Sequence, residues 1–240
     1  MLVFAVFIVV MLVVPGAVVP RGPGGSSSAV WVTPGVPPVE TIAWYGFEGP
    51  EPWADLTAFT GNDGRVRWVP HGPGQAVRFP SPCSREPCPR LILRALNRPE
   101  LNPGTAPFSF GATVRLSPRH TTDGQNVLQK GYAVEGSQYK LQIDGSAGRP
   151  SCVLVGAGSR RIHLVIADVG VADGAWHRLA CRRGPATLGI LVDGVPRAGV
   201  PIPAGLRIDN AMSLNVGGKS AHGDNDQFHG AVDDVWITRP

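Results

Sequence analysis

Apolar and polar residues alternate one for one through much of the chain. The clearest run is Phe108, Phe110, Ala112, Val114 and Leu116, interleaved with Ser109, Gly111, Thr113 and Arg115. A period of two puts one set on a buried face and the other on a solvated face of a strand. Shorter runs of the same kind occur at 41–47, 66–69, 75–79, 91–94, 127–131, 139–143, 152–155, 162–166, 212–216 and 228–237. Through the middle of the chain they recur about every ten to twelve residues, the interval of a sandwich or barrel. Residues 171–194 read as a hairpin. Ala175, His177, Leu179 and Cys181 share one face, and Trp176, Arg178, Ala180 and Arg182 the other. Gly184-Pro185-Ala186 breaks that strand, Leu188, Ile190 and Val192 return, and Asp193-Gly194 suits a type I′ turn. Residues 55–64 read as a polar loop. No stretch has the period of an amphipathic helix. The pattern therefore predicts an all-β chain folded as a two-sheet antiparallel β-sandwich.

The last strand breaks its own alternation. Phe228 and Val232 are in phase, and so are Val235 and Ile237, but the two pairs are out of phase with each other. A bulge between Val232 and Val235 would bring both pairs to one core. Asp233 and Asp234 sit at that break.

Composition adds to this picture. Gly 31 and Pro 24 suit many strands joined by many turns. The formal charge is only +4, and the arginines are scattered without a run longer than two or an evident aromatic interleaving on one predicted face. Those features argue against a nucleic-acid partner. Residues 1–14 are entirely apolar and end at Pro15-Gly16. They predict a secretory leader over 1–29, with small residues for cleavage at Ser27-Ser28-Ala29, although no Lys or Arg precedes the core. The alternative is an uncleaved N-terminal anchor. Residues 30–39 continue as a Pro/Gly-rich linker, and 40–240 form the folded domain. Four cysteines in an exported chain fit two disulfides. Cys83 and Cys88 lie in one Pro-rich loop, and Cys152 and Cys181 lie in two strands. The expected pairings are therefore Cys83–Cys88 and Cys152–Cys181, the latter contributing about 3 kcal/mol by loop closure. A zinc site at Cys83 and Cys88 would need further ligands, and His71 is the only histidine near in sequence.

Several segments in order resemble one family. These are Trp44-Tyr-Gly-Phe-Glu48 with Asp55 and the Gly-Asn-Asp-Gly at 61–64; the strand from Leu101 to Val114; Ala172-Asp-Gly-Ala-Trp-His-Arg-Leu with Leu191-Val-Asp-Gly; and Phe228-His-Gly-Ala-Val-Asp-Asp-Val-Trp-Ile. Together they resemble the laminin-G-like jelly rolls of the concanavalin A-like lectin/glucanase superfamily. The resemblance covers about residues 40–238. It implies a jelly roll, secreted, that binds carbohydrate or protein, often with one calcium.

It also frames the candidate chemistry. Glucanases of the superfamily carry a Glu-x-Asp-x-Glu strand, which places carboxylates on one face for acid and base work. No such triplet occurs here, nor a Gly-x-Ser-x-Gly elbow. An enzyme is thus the weaker alternative, and a lyase using Tyr139, Lys140 or His163 its best version. For calcium, Glu48 and Asp55 from the start of the domain and Asp233 from its end are the expected ligands, since first and last strands lie together in such sandwiches. Alternatively, Asp55 and Asn62 hydrogen-bond their own turn. For a sugar, the aromatic candidates are Trp53, Trp68, Tyr132 and Tyr139. Gln129, Lys130, Gln138, Lys140 and Gln142 fall opposite the apolar positions, and could equally be an ordinary solvated face. Gln129, Tyr139 and Lys140 are the favoured ligand set, and the loop at 217–227 is either part of the site or a plain connection. Trp176 is expected to pack. The function expected is a secreted, monomeric, non-catalytic binding or adhesion module for a carbohydrate or extracellular protein ligand. Its alternatives are a carbohydrate-active enzyme and a structural envelope domain.

Overall fold

The computed structural model describes residues 39–49, 53–223 and 225–240. The chain divides into Met1–Gly35 and Val36–Pro240, and every described residue falls in the second unit. The leader or anchor expected at 1–29, and the linker up to residue 38, lie outside the described residues.

The strands are β1 (Glu40–Tyr45), β2 (Leu56–Gly61), β3 (Arg67–His71), β4 (Gly74–Arg78), β5 (Arg90–Ala95), β6 (Phe108–Arg115), β7 (Gln125–Tyr132), β8 (Ser137–Asp144), β9 (Arg149–Val155), β10 (Ile162–Ile166), β11 (Trp176–Arg183), β12 (Thr187–Val192), β13 (Val195–Pro201), β14 (Leu214–Val216) and β15 (Ala231–Arg239). Three short 3-10 turns are the only helical residues among those described. The first sheet runs β13-β12-β11-β6-β15-β4-β3, with β1 also paired to β15. The second runs β10-β9-β8-β7-β14-β5-β2. All pairings are antiparallel.

Alternation decides which side chains meet between the sheets. Phe108 and Phe110 stack at 5.3 Å, and Tyr139 from the opposite sheet packs on them at 5.4 and 5.1 Å. Each such side chain, fully buried, contributes about 1.5–3 kcal/mol. Cys152 on β9 and Cys181 on β11 bridge the two sheets, with Cα atoms 5.7 Å apart. Cys83 and Cys88 close the β4–β5 loop. Both expected disulfides are present. The expected bulge is present too: pairing of β15 with β6 shifts register between Asp233 and Trp236, and Asp234 has a φ of 46°.

Two strands were not legible. Residues 55–64, expected as a polar loop, contain β2. It hydrogen-bonds to β5 from Leu56↔Ala95 to Gly61↔Arg90, and as an edge strand it needs only Leu56 and Ala58 to face inward. β13 carries Pro196 and Pro201, which an edge strand tolerates because one side makes no ladder bonds. Lys130 corrects a third expectation. It lies directly opposite Tyr139, so it faces the core rather than solvent. Its Nζ donates to Asn102 Oδ1 (2.8 Å), Asn210 O (2.8 Å) and Asn210 Oδ1 (3.0 Å).

Candidate functional site

The calcium set predicted from the two ends of the domain does not come together. Asp55 is engaged elsewhere: Tyr45 donates its hydroxyl to Asp55 Oδ1 (2.8 Å), and Arg98 Nε lies 3.3 Å from Oδ2. Glu48 reaches the β3–β4 turn, where its Oε2 accepts from the Gln75 amide (3.3 Å). Asp233, on the bulge, accepts from the amides of Phe47 (3.3 Å) and Asp234 (2.7 Å) through Oδ1, and its Oδ2 lies 2.6 Å from His71 Nδ1. The cluster that forms is His71, Asp233 and Asp234, whose candidate ligand atoms lie within 4.8 Å of one another. Calcium takes six to eight oxygens. Among the described residues this cluster offers two carboxylates, Asp233 already bonded to an imidazole and two amides, with Glu48 near enough to act on Asp234.

The predicted sugar set fares differently residue by residue. Tyr139 is in the core, because alternation along β8 groups it with Leu141 and Ile143. Its hydroxyl donates to Leu101 O (3.3 Å), and burial raises its pKa far above the ordinary phenol range. It cannot stack on a ligand. His163 also faces inward and is buried, which lowers its pKa, with Arg161 acting in the same direction. Trp53 is buried against Phe47 and Trp68. Gln129 and Lys140 do lie side by side on the outer face of the second sheet. Gln129 is nonetheless buried: it accepts from Asn126 Nδ2 (2.7 Å) and donates to Gly131 O (2.8 Å). Lys140 is half-buried, and burial lowers its pKa against the pull of Asp144 and Asp226. Residues 217–223 and 225–227 lie over this face. Lys219 O accepts from Tyr132 Oη and Asn215 Nδ2, both at 2.8 Å, and Asp226 Oδ2 accepts from Asn126 Nδ2 at 3.3 Å.

The outer face of the first sheet is open by contrast. Cross-strand partners share a face, so the registers place Trp44, Trp236, Gly111 and Ala180 in one row. Thr238, Ser109 and Arg182 form the next. Trp44 is 50% exposed. Trp236 is buried against Gly111, where a Cβ would come within 2.2 Å of Leu179 O and 2.7 Å of the indole, so only glycine fits beneath the ring. Arg178 sits over Trp236 at 5.4 Å. Trp44, Trp236, Arg178 and Arg182 line a groove of about 580 Å³, with Thr41, Ser109 and Thr238 offering hydroxyls beside the indoles. Trp176, expected only to pack, is half-buried on the same face, with His71 at 4.2 Å and Arg115 at 4.9 Å from its ring. Arginines and aromatics therefore do interleave on one face, contrary to the sequence-based expectation. The signal was present in the alternation: Trp236 stands between Val235 and Ile237, and Trp44 between Ala43 and Tyr45, each pair buried.

Residues 95–239 match a laminin-G-type family model described as the concanavalin A-like lectin/glucanases superfamily. The chain belongs to that superfamily. No curated protein matches this superfamily member in sequence. Among solved structures it is similar to domain 4 of AbnA, a GH43 extracellular arabinanase from Geobacillus stearothermophilus in complex with arabinotriose. The identity is 15%, the match covers 84% of this chain and 93% of that one, and the TM-score is 0.60. It is also similar to the binding domain of botulinum neurotoxin DC in complex with rat synaptotagmin II (12% identity, 82% of this chain, 48% of that one, TM-score 0.59). A third is the binding domain of Paraclostridial Mosquitocidal Protein 1 (11% identity, 76% and 44%, TM-score 0.56). The superfamily domain spans less than half the length of these toxin binding domains. At such identities the likeness shows the fold alone. These neighbours are binding domains or, for the arabinanase, a domain solved with an oligosaccharide. Two disulfides and a laminin-G-type fold point to an extracellular protein.

Proposed function

We propose that this domain is an extracellular carbohydrate-binding module whose ligand lies across the outer face of the first sheet, on Trp44, with the buried Trp236 beside it forming the floor of the groove. The carrying observation is the half-exposed Trp44 beside a fixed Trp236 in an open groove. A pyranose or furanose ring presents C–H bonds to an indole face and hydroxyls to its sides. The groove supplies both partners: the exposed Trp44 indole, and Arg178, Arg182, Ser109 and Thr238 around it. The fold of the arabinanase domain solved with arabinotriose supports the same reading. None of the described residues lining the groove is acidic. Glycosidic hydrolysis uses two carboxylates, so binding is favoured over turnover. Export through the apolar segment at 1–14 completes the proposal, and N-terminal sequencing of the protein recovered from the medium tests it.

Arabinotriose and a panel of plant and bacterial-envelope oligosaccharides, titrated calorimetrically, test the binding. Trp44→Ala should weaken the best ligand about tenfold or more with an unchanged melt. Equal affinity in the variant would reject the platform.

A further inference from the structure

At the opposite end of the same face from the groove, the registers assemble a row of cations. Arg67 on β3 pairs directly with Arg78 on β4. Arg78 pairs with Ala231, Ala231 with Arg115 on β6, and Arg115 with Trp176. Direct partners share a face, so three guanidinium groups point outward in one line across four strands. At about 4.8 Å per strand the row is about 14 Å long. Like charges placed directly opposite oppose sheet formation, so such a row is unfavourable unless an anion meets it. The chain supplies little compensation. Among the described residues, Arg65, Arg67, Arg78 and Arg115 have no ion pair or side-chain hydrogen bond. Arg115 is held over Trp176. Arg65, Arg67 and Arg78 line a cavity of about 630 Å³ with Trp68 and a single acid, Asp63. Arg78 and Arg115 line a second, of about 140 Å³, with Ser117, His120 and His229.

We propose that this row binds the anionic substituents, carboxylate, sulfate or phosphate, of an acidic polysaccharide. The inference rests on the reading of the chain as an extracellular carbohydrate-binding module. A line of separated guanidinium groups is longer than any one inorganic anion, and it suits charges repeated along a polymer. Guanidinium forks pair with all three oxyanions. A single-stranded nucleic acid would also meet the charge, but it gains much of its affinity by stacking bases on exposed aromatics. Trp176, the aromatic in the row, is already in contact with His71 and Arg115.

The test uses dextran sulfate, polygalacturonate, neutral dextran and oligothymidylate of matched length, with tryptophan fluorescence and calorimetry as readouts. The wild type should bind at least one acidic polysaccharide over neutral dextran, with affinity falling steeply as salt rises. The triple variant R67Q/R78Q/R115Q should lose at least tenfold in that affinity while keeping its melt, and the distant control R160Q should bind as wild type. The proposal is overturned if neutral and acidic dextrans bind alike, if the folded triple variant binds as wild type, or if oligothymidylate binds more tightly than both polyanionic glycans. Trp44→Ala separates the two readings. If it weakens a neutral oligosaccharide while the arginine variant changes nothing, the row fails and the tryptophan platform stands. If the arginine variant alone matters, the platform fails and the row stands.

Discussion

The two outer faces of the sandwich are built from the same alternation and finish differently. In the middle of the second sheet, on β7, β8 and β14, the outward residues are mainly amides and a lysine, and residues 217–223 and 225–227 lie over them, while the exposed apolar groups of this sheet, Ile162, Leu164 and Ile166, are on its edge strand β10. Gln129 and Asn126 are consequently buried and spend their hydrogen bonds on each other, on backbone and on the Asp226 carboxylate. On the first sheet the outward residues are tryptophans and arginines, and Trp44 stays half-exposed above a groove. A polar face is thus not the same as an accessible one. A buried amide with its partners in place is part of the scaffold, whereas guanidinium and indole groups left facing water are available to a ligand.

Both faces depend on the inter-sheet disulfide, and its loss should have the largest effect. Cys152 on β9 and Cys181 on β11 are separated by 29 residues. Replacing both with alanine should cost about 3 kcal/mol in a urea melt. Because the bond lies in the core and touches neither outer surface, ligand affinity under native conditions should be unchanged. An affinity loss larger than the unfolded fraction explains would mean that the spacing of the sheets shapes the groove.

Gln129→Leu tests the contrast directly, with a smaller effect. It removes the shorter of two side-chain donors to Gly131 O, leaving Gln138 Nε2 (3.2 Å), and the shorter of two acceptors of the Asn126 amide, leaving Asp226 Oδ2 (3.3 Å). Each lost hydrogen bond costs about 0.5–1.5 kcal/mol. The expected result is a lower melting temperature and unchanged oligosaccharide affinity. The opposite result, intact stability with affinity lost, would move the ligand site to the second sheet.

How much of this was legible in the sequence follows from what alternation can and cannot encode. The period of two in β6 and β11 showed the sandwich, and the phase break at Asp233 showed the bulge. The cysteines in β9 and β11 showed their pairing. Faces were harder. Tyr139 and Lys130 have polar tips, and each was expected outward. Both point inward because their phase is that of Leu141 and Leu128, and each finds buried acceptors: Leu101 O for the tyrosine, Asn102 and Asn210 for the lysine. Those acceptors come from segments distant in the chain, so no local pattern announces them. Burial pulls the Lys130 ammonium down to about 8, with Asp209 opposing. The lateral row Arg67–Arg78–Arg115 was invisible for a related reason. Its members are adjacent only through strand order, which skips from β4 to β15 to β6.

The smallest predicted difference between the sheets is one of sign with pH. In the first sheet, His177 lies 2.8 Å from Asp193 Oδ2 through Nδ1 and 3.1 Å from Asp173 Oδ1 through Nε2. Burial acts against its protonation, but the two carboxylates outweigh it and the pKa is raised above 6.5. The folded state therefore holds this proton more tightly than the unfolded state. Its stabilisation is fully present below pH 6.5 and is lost as pH rises through the raised value. Both carboxylates are largely exposed, so the contribution should be under about 1 kcal/mol. In the second sheet, His163 is buried and its pKa is lowered, so it acts in the opposite sense: stability falls as pH drops below 6.5. Melts from pH 5 to 8 on the wild type, His177→Gln and His163→Gln should show the two slopes. Removing His177 should flatten the decline toward pH 8, and removing His163 the decline toward pH 5. If His177→Gln leaves the upper slope unchanged, Asp173 and Asp193 do not hold a charged imidazole, and the hairpin end that presents Trp176 and Arg178 is fixed by backbone pairing alone.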